Sequence, residues 1–424
     1  MEKAKVTFRI PKYIEDADED FFTNAFQQKG IIQHNVKVKV INYVPEKKGP
    51  GMCCDIGFYE LEYTSYNSKA PRLVCAKFTP RLPKPNWEAA MKNEIINYLT
   101  IPSSAIRRPK CYFAAFDTTT KAYCLILQDL RPNLTIGTRM LDLPVDRAKI
   151  AVVSIAKLHA TYWGGTTAYY GPHTKEFKAT INMHSLKRYF KFTFTTNCFM
   201  HSMLDLQKVL PLDVVEGTEN WPKLVSSKFN SISNEIFGPM NLKKRDEKTY
   251  PMCLIHGDLN PDNIFLIEDK DAGCFIDFSS MAITHPFFDI SYFLITSMKT
   301  SDLIENKDIL LEIYHNALID YGAEQSGFLV PPISELIEKI WMDFLIIPLL
   351  FLSSLGPLLL NDQRKGTGYA AKHPSMEAKQ HYNVVTRQFK RTKTILKHYD
   401  YESWIQKYPG NANNCLSYFC PCIC

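Results

Sequence analysis

The chain has 424 residues, 46% hydrophobic and 22% charged, the composition of a folded globular protein long enough to bury two cores. Eighteen Gly and 25 Pro, with no short repeat, exclude collagen-like and low-complexity structure. A formal charge of +6 suits anionic ligands such as nucleotides but falls short of a nucleic-acid binder's basic footprint, so no nucleic-acid partner is expected.

The opening residues, MEKAKVTFRIPKYIEDADEDFF, hold no apolar run of signal-peptide length and soon turn acidic, so neither a secretory leader nor a transit peptide is expected. Residues 1–34 read as an N-terminal extension. From Val36 the pattern is strand-like: Val36–Val40 alternates apolar and basic, Phe58–Tyr63 follows, then Arg72–Phe78. Gly49–Asp55 is a turn-rich linker between the first two, and Pro80, Pro83 and Pro85 form a connector rather than a polyproline ligand. Asn86 can cap a helix on which Trp87, Met91, Glu94 and Tyr98 share one face. Glu94 is the odd residue on that stripe. Strands near Lys110–Phe116 and Ala122–Gln128 close a small, sheet-rich first lobe spanning residues 1–130.

From Asp146 the period becomes helical. Ala148, Val152, Ile155, His159 and Tyr162 recur on one face, and Gly164-Gly165 is the stop signal. His159 on such a stripe reads as a hydrogen-bonded core residue rather than a catalytic one. Residues 166–250 are aromatic and irregular and carry no readable pattern. Phe344–Leu360 is apolar but only 17 residues long, with Pro348, Gly356 and Pro357 inside it, so a buried helix and turn is expected rather than a membrane span.

Twelve Cys without a C-x-x-C pair read as reduced thiols of a cytoplasmic protein, with neither a disulfide scaffold nor a structural zinc site. Four of them, Cys415, Cys420, Cys422 and Cys424, crowd the tail at 411–424 beside Tyr418 and Phe419. That tail is either lipidated or a frayed end, and membrane association is expected only through it. The oligomeric state stays open.

The segment with chemical content is Ile255-His256-Gly257-Asp258-Leu259-Asn260-Pro261-Asp262-Asn263-Ile264, followed by Cys274-Phe275-Ile276-Asp277-Phe278-Ser279. It is a polar loop between apolar runs, with Asp258, Asn263 and Asp277 able to point into one cleft. Phosphoryl transfer needs such a set: a carboxylate to orient the attacking hydroxyl and hard oxygen donors for magnesium. The spacing matches the kinase loop H-x-D-x-x-x-x-N followed by the metal-binding aspartate.

In its H-G-D variant the chain resembles the aminoglycoside phosphotransferase and choline kinase superfamily, and more closely the ecdysteroid kinase-like (CHK kinase-like) family within it. LIHGDLNPDNIFL at 254–266, CFIDFS at 274–279, FFDISYFL at 287–294, LILQDL at 125–130 and SIAKLHATYWG at 154–164 carry the resemblance. It implies an α+β, bilobal protein kinase-like fold: an N-terminal antiparallel β lobe with one key helix, then a larger, mainly α-helical catalytic and substrate lobe at 131–410. By position it makes Asp258 the catalytic base, His256 the residue bracing the loop, and Asn263 and Asp277 the magnesium ligands. Lys77 matches the lysine on the nucleotide's phosphates and Glu94 its helix partner, while Gln128, Asp129 and Leu130 fall at the adenine-binding connector. Asp289 resembles a structural aspartate.

The chain departs from the family in having Ser279 where Gln is common, and G-x-G-x-x-G is absent. The implied activity is ATP- and Mg2+-dependent phosphorylation of a small hydroxylated molecule, a steroid-like or other apolar alcohol first. Choline-, ethanolamine- or aminoglycoside-like acceptors come second, and a silent pseudokinase is the alternative of another class. A protein kinase is not expected, because no A-P-E segment follows Asp277.

Overall fold

The computed structural model describes residues 8–45, 54–65, 70–80, 87–132, 135–137, 139–164, 196–225, 227–228, 231, 253–266, 273–349 and 377–408. Outside them lie most of the Gly49–Asp55 linker, Pro83, Pro85 and Asn86, most of the 166–250 stretch, residues 350–360 of the apolar run, and the 411–424 tail. The chain forms two compact units, residues 1–135 with 274–280, and residues 136–273 with 281–424.

The first unit is built on a five-stranded antiparallel sheet in the order β1-β2-β3-β5-β4. Its strands are β1 (Val38–Pro45), β2 (Asp55–Tyr63), β3 (Leu73–Phe78), β4 (Cys111–Phe116) and β5 (Tyr123–Gln128). β1 starts two residues later than the alternation suggests, because the Val36 N–H already closes a turn on the Gln33 carbonyl. The period of two in β3 sorts its side chains. Val74, Ala76 and Phe78 enter the main apolar core, whereas Lys77 points to the opposite face. Since β3 lies between β2 and β5, that face is deep, and Lys77 is buried.

Two helices complete the unit. The helix α1 (Glu19–Gln28) lies in the region read as an extension. Asp18 caps it by accepting from the Phe21 N–H at 2.7 Å, and Phe21, Phe22, Ala25 and Phe26 enter the sheet's core. Burial of each phenylalanine contributes roughly 1.5–3 kcal/mol, which ties this segment to the sheet. The second helix, α2 (Trp87–Thr100), buries Met91, Glu94 and Tyr98 as the stripe predicts, and Asn93 and Asn97 besides.

The segment Cys274–Ser280 belongs to this first unit, although it is distant in sequence. The physical reason is α2. Its Asn97 Nδ2 donates to the Phe278 carbonyl (2.8 Å), its Asn93 Nδ2 to the Ser279 carbonyl (2.9 Å), and Tyr98 packs on the Phe278 ring.

The second unit is mainly helical. It contains α3 (Val145–Thr161), α4 (Thr196–Val209), α5 (Phe287–Ser297), α6 (Thr300–Asp320) and α7 (Glu377–His398). Every residue of α5 is buried, which is why FFDISYFLITS shows no polar face. Short strands β6 (Cys253–Ile255) and β8 (Ala282–Thr284) pair antiparallel, and β7 (Ile264–Leu266) follows the loop that carries Asp258. The antiparallel sheet of one unit and the helices of the other make the fold α+β.

The described part of the apolar run, Phe344–Leu349, is buried, and among the described residues no helix is long and apolar enough to cross a membrane. Among the described residues, Cys111, Cys124, Cys253 and Cys274 are free thiols. Trp221, from the aromatic stretch, is buried and donates from Nε1 to Glu402.

Candidate active site

The residues singled out by the sequence fall into two groups, one in each unit. In the first unit, Lys77 Nζ meets Glu94 Oε1 at 2.6 Å, with both side chains nearly closed to solvent. The Tyr123 hydroxyl donates to the other carboxylate oxygen, Oε2, at 2.7 Å, so Glu94 is held from two sides. Burial works against the Lys77 charge, but the carboxylates of Asp277 and Glu94 outweigh it and hold the pKa well above its ordinary value. The ammonium therefore stays charged at any physiological pH.

Asp277 stands at the next point of this group. Its φ of +62° is left-handed, a conformation that Asp tolerates better than most residues but that still needs support. The support is local. Ser279 Oγ donates to Asp277 Oδ1 at 2.7 Å, while the backbone on either side of Ser279 is held by Asn93 and Asn97. Ser279 thus bonds the aspartate directly.

Gln128 ends β5, and Asp129 and Leu130 follow it. The Gln128 N–H is engaged by the Lys110 carbonyl (2.9 Å). The Asp129 carboxylate is taken by Arg131, whose guanidinium lies 3.2 Å from the centre of the Phe58 ring. The Asp129 side chain is therefore committed to the protein.

In the second unit the loop from His256 to Asn263 is organised around Asp258. Asn260 caps a single turn, accepting from the Asp262 N–H at 3.0 Å, with Pro261 in the first helical position, where its missing N–H costs nothing. That turn brings two amides onto one carboxylate. Asn260 Nδ2 donates to Asp258 Oδ1 (3.1 Å), and Asn263 Nδ2 donates to Asp258 Oδ2 (3.3 Å) and to its carbonyl (2.8 Å). The Asn263 side-chain nitrogen is so used, and the residue is buried. Asp258 itself is half-buried.

The start of the loop is fixed by Asp289 on α5, which accepts from the His256 N–H at 2.6 Å and the Gly257 N–H at 2.9 Å. His159 completes this support: its Nε2 lies 3.3 Å from Asp289 and its Nδ1 2.8 Å from the Tyr314 hydroxyl. His159 and His256 are both fully buried. His159 is therefore the hydrogen-bonded core residue its helical stripe suggests, and Asp289 the structural carboxylate.

Each unit carries one hard oxygen donor of the kind magnesium takes, the Asp277 carboxylate in the first and the Asn263 amide oxygen in the second. Among the described residues no group of three or more His, Cys, Asp or Glu side chains is placed to hold a metal.

Sequence reasoning passed over Asn93 and Asn97, which hold the Asp277 segment, and Asn260, which orients Asp258. The Asn-Pro pair at 260–261 is a recognisable cap signal. The two helix asparagines carry no such signal, since their partners lie over 180 residues away.

The model of the ecdysteroid kinase-like family matches residues 85–325, more than half of the chain. Similar solved structures include an ethanolamine kinase of Plasmodium vivax, with 15% identity, a TM-score of 0.48 and coverage of 93% of each chain. A choline kinase of Cryptosporidium parvum has 12% identity and a TM-score of 0.47, covering 89% of this chain and 96% of that one. The GDP complex of an aminoglycoside 2'-phosphotransferase-IIIa has 12% identity and a TM-score of 0.45, with 88% and 99% coverage. No curated protein matches at the level of sequence.

Proposed function

The chain belongs to the ecdysteroid kinase-like family, and we propose from that premise that it moves the γ-phosphate of ATP to a hydroxyl of a small apolar alcohol of the steroid-like class. The observation that carries this reading is the Lys77–Glu94 pair. A buried ion pair costs several kcal/mol of desolvation per ion and adds little to stability, so its retention needs another reason. A lysine kept charged for the α/β-phosphates, and oriented by a helix glutamate, is that reason.

Asp258 accepts or orients the proton of the attacking hydroxyl, and its two amide donors aim the carboxylate. Asn263 and Asp277 would hold magnesium, which supplies charge neutralisation on the phosphate oxygens when bound. His256 belongs to the loop's support. Gln128–Leu130 would meet the adenine through backbone groups, since the Asp129 side chain is already engaged by Arg131.

The reading is tested by incubating the protein with labelled ATP and a panel of hydroxylated small molecules, sterols and amino-alcohols included. Transfer to an apolar alcohol is the expected result. Transfer only to choline, ethanolamine or an aminoglycoside would replace the acceptor class, and nucleotide binding without any ATP turnover would replace the enzyme by a scaffold.

A further inference from the structure

The loop carrying Asp258 is anchored at its start by Asp289, and a second anchor grips its far end. Arg139 donates from its backbone N–H to Asp262 Oδ1 (2.9 Å) and from Nε to Asp262 Oδ2 (2.6 Å). Both carboxylate oxygens are therefore taken by one residue, through one backbone and one side-chain donor. The two charged side chains are only about one-fifth exposed, 17% and 21%, so water screens the pair weakly. The segment before Arg139 lies directly on the same turn. The Gly137 N–H donates to the Ile264 carbonyl at 3.0 Å, and a Cβ at Gly137 would collide with the Pro261 carbonyl.

What stands behind Arg139 is rigid as well. Its carbonyl accepts from Gln388 Nε2 on α7 (3.3 Å), and the same amide donates to the Thr296 carbonyl on α5 (3.0 Å). Tyr292, also on α5, takes a hydrogen bond from the Arg139 side chain. Arg139 is thus fastened to two helices and holds the residue immediately before Asn263.

We infer that Arg139 is a positioning residue for phosphoryl transfer, acting through Asp262 to hold Asp258 and Asn263 in register between two anchors. The inference rests on the proposed kinase activity and deepens it. Neither Arg139 nor Asp262 is required to touch substrate. The clamp acts because a displacement of an ångström at a catalytic group costs up to about a hundredfold in rate.

The test is a double-mutant cycle in the full-length protein, with Mg·ATP hydrolysis, water being the acceptor, as the readout. Arg139→Gln and Asp262→Asn should each lower kcat by about ten- to a hundredfold while leaving KM for ATP within about twofold. The double variant should be no slower than the worse single one, because both remove one interaction. Arg139→Lys, which keeps a cation facing Asp262, should recover part of the loss. Amide hydrogen exchange should speed up over 257–264 in both single variants and stay unchanged over β6. A merely structural loss would spread to β6 and leave the kcat-to-KM split unmoved. Should Arg139→Gln fail to fold, Asp262→Asn with its loop exchange tests the same clamp. Single effects that multiply in the double variant, or folded variants with wild-type kcat, overturn the clamp alone. A wild-type protein that turns over no ATP, either with water or with any of the hydroxylated acceptors, overturns the kinase reading, and this inference with it.

Discussion

Removing either member of the Lys77–Glu94 pair should destabilise the first unit far more than removing both. The Nζ–Oε1 distance is 2.6 Å, and the side chains are 8% and 1% exposed, so neither charge can turn to solvent. Glu94→Leu leaves the ammonium facing Asp277 alone and deprives the Tyr123 hydroxyl of its acceptor. Breaking a buried pair from one side costs about 3–5 kcal/mol. At about 3 °C per kcal/mol for a unit of this size, the melting temperature should fall by about 9–15 °C.

Lys77→Met leaves the opposite problem, a buried carboxyl whose ammonium partner is gone. Burial already pushes the Glu94 carboxyl up from its ordinary value, and Lys77 is the main opposing influence. Without it, Glu94 should take up a proton in the folded state. A group whose folded pKa is raised stabilises at low pH and loses that contribution as pH rises. The deficit of Lys77→Met relative to wild type should therefore be smallest in mild acid and grow toward neutral pH. The double variant Lys77→Met/Glu94→Leu should recover most of the stability, since apolar replacement of a buried pair is commonly neutral or better. It should nonetheless lose the thermal shift given by Mg·ATP. The assay is thermal unfolding of the three variants at several pH values, with and without nucleotide. A double variant as unstable as the two singles added together would refute the reasoning, because the two charges would then not be stabilising one another.

Asp258→Asn keeps the shape and two of the amide contacts but not the basic oxygen, so ATP turnover should fall by ~10²–10⁴-fold with nucleotide binding retained, as measured by calorimetry. Asp277→Asn is chosen because Asn also tolerates the left-handed φ of +62°; its ATP-induced thermal shift should lose its dependence on magnesium, and a wild-type magnesium response would remove Asp277 from the metal site. Gly137→Ala should cost about 1–3 kcal/mol and slow turnover, because the added methyl must displace the Pro261 carbonyl; unchanged unfolding and turnover would mean the close approach does not hold the loop.

Much of this molecule is written locally. The alternation that opens β1, the strand-like runs of β3 and β5, the helical stripes of α2 and α3 and the H-G-D-x-x-x-x-N spacing are short-range patterns, and each element appears in the structure within a few residues of where its pattern puts it. The same holds for the turn at Asn260-Pro261, since an Asx cap is made by neighbours in sequence. The helix α1 was equally within reach: Asp18 precedes an acidic first turn, and Phe21, Phe22, Ala25 and Phe26 keep a helical period.

Other features depend on partners that no local period encodes. Asn93 and Asn97 reach carbonyls 186 and 181 residues away, and through them the Asp277 segment becomes part of the sheet-bearing unit. Arg139 meets Asp262 across 123 residues, and Gln388 meets Arg139 across 249. Residue types and their spacing establish which chemistry the chain can perform, because a carboxylate or an ammonium carries its reactivity with it. Which of those groups stay charged, which are held still, and which of two aspartates four residues apart is gripped by an arginine depends on burial and long-range contact. Those come into being only when the chain has folded.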